Sequence, residues 1–227
     1  MVNDAIWKEL HENFLTNGVT LVAISKTKPI EDIRALYELG QRDFGESYVQ
    51  ELTEKQASLP ADIHWHFIGH LQSNKVKYIA SFVHLVHTVD SLKLLQEINK
   101  QAQKNNRIID VLLQVYIADE ETKFGLDENE LIELLNNYKV QNSQLNNIRI
   151  CGLMGMATNT EDEQKIRSEF ARLYEIFESL KNLYFLEEIY FSIRSMGMSS
   201  DYKLAIKEGS NMVRIGSLLF GKREYMK

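Results

Sequence analysis

The sequence predicts an α/β fold, a (β/α)8 barrel of the TIM type with an extra N-terminal helix, with residues 1–227 forming one domain. Three observations predict it. Short apolar runs rich in Val, Ile and aromatic residues alternate with longer segments of helical period. Eight such alternations in 227 residues suit a closed parallel barrel, typically ~250 residues long. No Pro/Gly/Ser linker or break in composition divides the chain. A doubly wound open sheet is the rival architecture, and no G-x-G-x-x-G opens a helix after a strand.

Taken in order, a first helix is expected from about Ala5 to Leu15, closed by the turn signal Asn17-Gly18. The strand candidates are Val19 to Ser25, Asp43 to Gly45, Ile63 to Ile68 and His84 to Thr88, followed by Ile108 to Ile117, Ile148 to Leu153, Glu188 to Ile193 and Met212 to Ile215. The Asp43 run is short and weak by itself. Helix starts between them carry capping signals: Ser47-x-x-Gln50, Asp127-x-x-Glu130 and Thr160-x-x-Glu163. The helix after Thr160 is the clearest, with Ile166, Phe170, Leu173, Tyr174, Phe177 and Leu180 on one apolar stripe.

Composition narrows the function. At 44% hydrophobic and 26% charged residues the chain sits with globular proteins and buries a sizeable core. Its net charge of −6 argues against an extended nucleic-acid partner while leaving room for local basic pockets. The single cysteine, Cys151, excludes an intrachain disulfide and suits a reducing compartment. The first dozen residues carry acids and lack the apolar core of a signal peptide, and no window approaches the ~20 apolar residues of a membrane span. A cytoplasmic protein with no membrane partner is expected.

Barrels of this kind place their chemistry at the C-terminal ends of the strands. The first run ends in Ser25-Lys26-Thr27-Lys28-Pro29, where a desolvated lysine amine becomes a nucleophile toward carbonyls. Two solvated lysines before a helix are the plain alternative. Ser195 to Asp201 is expected to follow the seventh strand, and Arg214-Ile215-Gly216-Ser217 ends the eighth. Small residues and hydroxyls at helix starts suit an anion, and loops after strands seven and eight frequently take phosphate. Ser199 or Ser200 as a mere helix cap is compatible with that. His64, His66 and His70 invite a metal reading, but strands five to eight bring no histidine to complete a site, so they are read as packing or pocket-lining groups and no metal is expected. Cys151 reads as a buried, inert thiol.

Seven ordered segments, LVAISKTKP, FGESYVQE, WHFIGHLQSNK, ADEETKFGL (118–126), GLMGMAT, SMGMSSDYKLAI and MVRIGSLLFG, resemble the pyridoxal phosphate homeostasis protein family over nearly the whole chain. That family's fold resembles the barrel domain of bacterial alanine racemase. The resemblance implies that Lys26 carries pyridoxal 5′-phosphate (PLP) as an internal aldimine, with Lys28 a nearby positive charge. It further implies that Ser199, Ser200, Gly216 and Ser217 surround the phosphate and that Arg214 faces the pyridine nitrogen. Two positions depart from the family pattern: Ser47 and Tyr116 stand where the family usually has Asn, which puts pocket contacts there in question.

The function so implied is intracellular PLP homeostasis without robust turnover, with PLP as ligand and apo PLP-dependent enzymes as candidate recipients. The alternative is a PLP-dependent, racemase-like enzyme. Racemisation needs acid/base groups on two faces of a carbanion, and the related racemases draw one from a second domain and a neighbouring subunit. With six residues after Gly221, no such domain is expected. A cofactor-free Schiff-base aldolase is a further rival, which would not need an arginine at a pyridine nitrogen.

Overall fold

The computed structural model describes residues 2–120, 124–140 and 144–221; Glu121, Thr122 and Lys123 of the 118–126 segment lie outside the described residues. Among the described residues eight parallel strands close into a barrel in sequence order: β1 (Thr20–Ile24), β2 (Asp43–Glu46), β3 (His64–Phe67), β4 (Leu85–Val89), β5 (Ile109–Gln114), β6 (Ile148–Met154), β7 (Ile193–Met198) and β8 (Met212–Ile215). β8 returns to pair with β1, Val22 opposite Arg214, so closure brings the first and last strand ends together. The intervening helices are α2 (Ile30–Glu38), α3 (Val49–Ser58), α4 (Val76–Ile79), α5 (Leu92–Lys104), α6 (Glu128–Val140), α7 (Glu163–Tyr184) and α8 (Tyr202–Lys207); α1 (Asp4–Asn17) precedes the barrel and α9 (Ser217–Phe220) follows it. No helix among the described residues is long and apolar enough to cross a membrane.

Two apolar clusters follow from this topology. One fills the layer between strands and helices, where Phe44, Trp65, Phe67, Phe170 and Phe177 are fully buried. The other joins Val22, Ile24, Leu85, Leu112, Met154 and Met212, contributed by β1, β4, β5, β6 and β8. Being buried on both faces, these strands read as continuous apolar runs. β2 is the exception because its Gly45 has no room for a side chain: an added Cβ would lie 2.6 Å from Ile24 Cδ1 and 3.2 Å from Val22 Cγ1.

The seventh strand differs from expectation. Glu188 to Ile193 is not a strand; residues 186–190 turn at the surface, with Ile189 95% exposed, and β7 is the later Ser-Gly-rich stretch Ile193–Met198. Gly197 takes a φ of 97° beside a register shift in the pairing with β8, and its missing Cβ leaves room for Ala205 of α8. Tertiary packing here outweighs the turn-like residue types.

Two capping assignments are also corrected. Tyr48, not Ser47, occupies the position before α3, without a side-chain cap, and the Ser47 backbone lies where a side chain on Gly69 would be. Asp162, not Thr160, caps α7, its carboxylate accepting from the amides of Gln164 and Lys165. The Asp127–Glu130 box before α6 forms as expected, each side chain accepting from the other residue's amide at 2.9 Å. Along α7 the expected stripe is buried except Tyr174, which sits at its margin.

Candidate functional site

The C-terminal ends of β1, β6, β7 and β8 enclose a cavity of about 310 Å³. All six residues singled out in the sequence, Lys26, Ser199, Ser200, Arg214, Gly216 and Ser217, line it, together with Lys28. Its apolar walls come from Ile24, Ile68, Met154 and Met156. The volume is at the lower end of small-molecule pockets.

Lys26 follows the last β1 residues on a loop held from below. The Thr27 backbone is left-handed, at a φ of 63°, a conformation that costs a non-glycine residue roughly 1–2 kcal/mol. A network that runs from the surface to the buried Lys55 holds it there: the Thr27 amide donates to Glu51 Oε1 at 2.6 Å, and Lys55 Nζ donates to Glu51 Oε1, Glu46 Oε1 and the Ser25 carbonyl at 2.7, 2.8 and 2.7 Å. The Ser25 hydroxyl donates to Glu46 Oε1 at 2.6 Å. Burial pushes the Glu46 carboxyl up to about 7 despite Lys55 and Ser25, and Glu46 Oε2 is buried without a hydrogen-bond partner among the described residues. Lys28 points its amine elsewhere, donating to the Phe220 carbonyl at 2.9 Å.

On the facing side, the Gly216 amide donates to Ser199 Oγ at 3.2 Å, tying the ends of β7 and β8 together. Gly216 also passes close to β1, since an added Cβ would lie 3.2 Å from the Ile24 carbonyl oxygen. The buried Asp201 accepts from the Met198 amide at 2.6 Å and fixes the Ser199-Ser200 turn. Arg214, 4% exposed, donates from Nη1 to the Ser195 carbonyl and hydroxyl at 2.7 Å each and from Nη2 to the Gly155 carbonyl at 3.0 Å. Burial lowers its guanidinium to about 10, which leaves it cationic at neutral pH. Three of its five N–H donors are thus used among the described residues, and two remain for a ligand.

The histidines separate into different roles. His66 is buried in the barrel, His70 lines a second cavity of about 640 Å³ beside Ser47 and Tyr48, and His64 lies at the surface stacked on His84. Asp43, His66 and His84 bring ligand atoms within 4.8 Å of one another at the opposite end of the barrel, a grouping missed because partners were sought only on later strands. His66 already has both ring nitrogens hydrogen-bonded, to Asp43 and to His87. Ser47 lines the second cavity rather than the first, and Tyr116 lines neither. Cys151 is buried, and desolvation pushes its thiol up to about 12. Sequence reasoning gave His87, Glu46 and Lys55 no role and put Ser195 after the seventh strand rather than within it; His87 sits inside an apolar run, Glu46 just past one and Lys55 within a helix, where pattern alone marks only scaffold.

Comparisons with known proteins give the family and the fold. Residues 7–224 match the family model described as alanine racemase, N-terminal domain. The chain is 42% identical over 210 residues to the pyridoxal phosphate homeostasis protein of Aquifex aeolicus, covering 92% of this chain and 89% of the relative. It superposes on PipY of Synechococcus elongatus, solved with PLP bound, with a TM-score of 0.79 and 35% identity over 90% of this chain and 93% of that one. Alanine racemase from Streptomyces coelicolor shares the fold, with a TM-score of 0.73 and 16% identity, and this chain covers 55% of it.

Proposed function

Because the chain belongs to the pyridoxal phosphate homeostasis protein family, we propose that it binds PLP in the cavity at the C-terminal mouth of the barrel and acts in intracellular PLP homeostasis. The observation that carries this reading is the meeting of one amine, a set of hydroxyls and a buried guanidinium around about 310 Å³. Each fits one part of the cofactor. Lys26 supplies the amine that captures an aldehyde. The hydroxyls of Ser199, Ser200 and Ser217 offer charge-assisted hydrogen bonds to a phosphate, with the Gly216 amide donating to Ser199 Oγ and so leaving the Ser199 proton to give. The two unused N–H groups of Arg214 suit a pyridine nitrogen lone pair.

When bound, the cofactor supplies a carbonyl for amines and a ring that withdraws electrons from a substrate. Arg214 opposes the second property. A guanidinium donates and cannot accept, so a ring nitrogen facing it stays unprotonated and is a poor electron sink. The protein therefore holds the cofactor and exchanges it, with apo PLP-dependent enzymes in the cytoplasm as recipients, rather than turning substrates over. Incubating the loaded protein with L-alanine in D₂O tests this. Deuterium at Cα should accumulate far below the ~1–10³ per second of ordinary enzymes. Exchange at that rate, with loss of chirality, would replace the carrier with a racemase.

A further inference from the structure

A line of polar side chains crosses the otherwise apolar barrel. His66 Nε2 lies 2.9 Å from Asp43 Oδ1, His66 Nδ1 lies 2.8 Å from His87 Nε2, and His87 Nδ1 lies 3.1 Å from Ser195 Oγ, which accepts from Arg214 Nη1. Asp43 opens β2 at the N-terminal end of the barrel, whereas Arg214 reaches the cavity at the C-terminal end. The His87–Ser195 link joins β4 to β7, strands that are not neighbours in the barrel.

The chemistry of the two ends sets the direction of every bond between them. Arginine can only donate, so Ser195 Oγ accepts from it and has its own proton left to give, and His87 Nδ1 is the acceptor at hand. With Nδ1 accepting, neutral His87 carries its proton on Nε2 and donates to His66 Nδ1. His66 then carries its proton on Nε2 and donates to the Asp43 carboxylate. The reverse order places an imidazole lone pair 2.9 Å from a carboxylate oxygen and gives the Ser195 proton no acceptor among these groups. Desolvation holds His87 well below the ordinary histidine range and therefore neutral. Partial burial alone would raise the Asp43 carboxyl, but the His66 hydrogen bond and the neighbouring imidazoles outweigh it and keep it ionised.

We propose that Asp43, His66, His87 and Ser195 are positioning residues for Arg214, forming a one-way hydrogen-bond chain that fixes the guanidinium at the cavity and links it to a counter-charge at the far end of the barrel. Each link is polarised in the same sense, with lone pairs facing the cation and protons facing the anion, so the bonds reinforce one another in the low-dielectric interior. The chain also explains why a barrel lined by Val22, Leu85 and Leu112 keeps two imidazoles. Its effect on a bound ring nitrogen rests on the PLP reading above; its direction does not.

Long-range ¹H–¹⁵N NMR on the ligand-free protein tests the direction. Both His66 and His87 should be neutral with the proton on Nε2; a proton on Nδ1 of either ring overturns the proposal. The second arm compares His87→Leu, which breaks the chain, with His87→Gln, whose amide can accept from Ser195 and donate to His66. PLP titration should show His87→Leu binding about tenfold or more weaker with a shifted absorption band, and His87→Gln close to wild type in both. A His87→Leu protein with wild-type affinity and spectrum overturns the positioning role. Failure of the wild-type protein itself to bind PLP overturns the cofactor reading, and the NMR result then decides the chain alone.

Discussion

Removing the phosphate from the ligand isolates one half of the site. PLP and pyridoxal carry the same aldehyde and ring, so any difference in affinity belongs to the residues on the phosphate side. Three hydroxyls, of Ser199, Ser200 and Ser217, and the Gly216 amide line that part of the cavity. A hydrogen bond to a charged group contributes about 1.5–3 kcal/mol. If only two of the three hydroxyls engage the phosphate, its loss costs about 3–6 kcal/mol, roughly a hundredfold to ten-thousandfold in Kd. Fluorescence titration of the ligand-free protein with each compound measures the ratio. A Ser200→Ala/Ser217→Ala double variant should bring PLP down toward pyridoxal while leaving pyridoxal within about twofold, since it removes only groups that pyridoxal does not need. Equal affinities for the two ligands, or a double variant that weakens both alike, would show that these residues do not recognise the phosphate.

Two further outcomes follow from the scaffold beneath the site. Gly45→Ala forces a Cβ to within 2.6 Å of Ile24 Cδ1. Overpacking of this kind costs about 1–3 kcal/mol, or roughly 2–4 °C in Tm for each kcal/mol at this chain length, and adding Ile24→Val should recover part of the loss in a thermal melt. Glu46 gives a pH dependence: the folded carboxyl holds its proton up to about 7, against an ordinary value of 4.5, so folding takes up a proton between the two. Stability from this group is present below about pH 4.5 and is lost as pH rises through about 7. Urea unfolding of Glu46→Gln across that window should show a flatter profile than wild type, and an unchanged profile contradicts the assignment.

Strands buried on both faces, such as Thr20–Ile24 and Met212–Ile215, were legible because continuous apolar runs leave few other readings. β7 was not. Ser195 and Gly197 look like turn residues until their partners are known: Ser195 meets Arg214 and His87, and Gly197 accommodates Ala205. The six cavity residues were legible because a barrel collects the residues after its strands at one mouth, whatever their separation in sequence. The chain from Asp43 to Arg214 was not, since its links join residues 19 to 108 positions apart and no spacing rule marks them. The same holds for Lys55, whose contacts with Ser25 and Glu46 exist only once β1, β2 and α3 are assembled.

Lys26, and not the neighbouring Lys28, is the lysine proposed to hold PLP. Both lysines line the cavity, but Lys26 lies two residues past the end of β1 and Lys28 four, and Lys28 Nζ donates to the Phe220 carbonyl at 2.9 Å. Borohydride reduction of the PLP-loaded protein, followed by peptide mass mapping, separates them. The expected result is loss of the visible absorption band and a pyridoxyl adduct on Lys26 with Lys28 unmodified; an adduct on Lys28 with Lys26 unmodified, or no adduct on either, contradicts it.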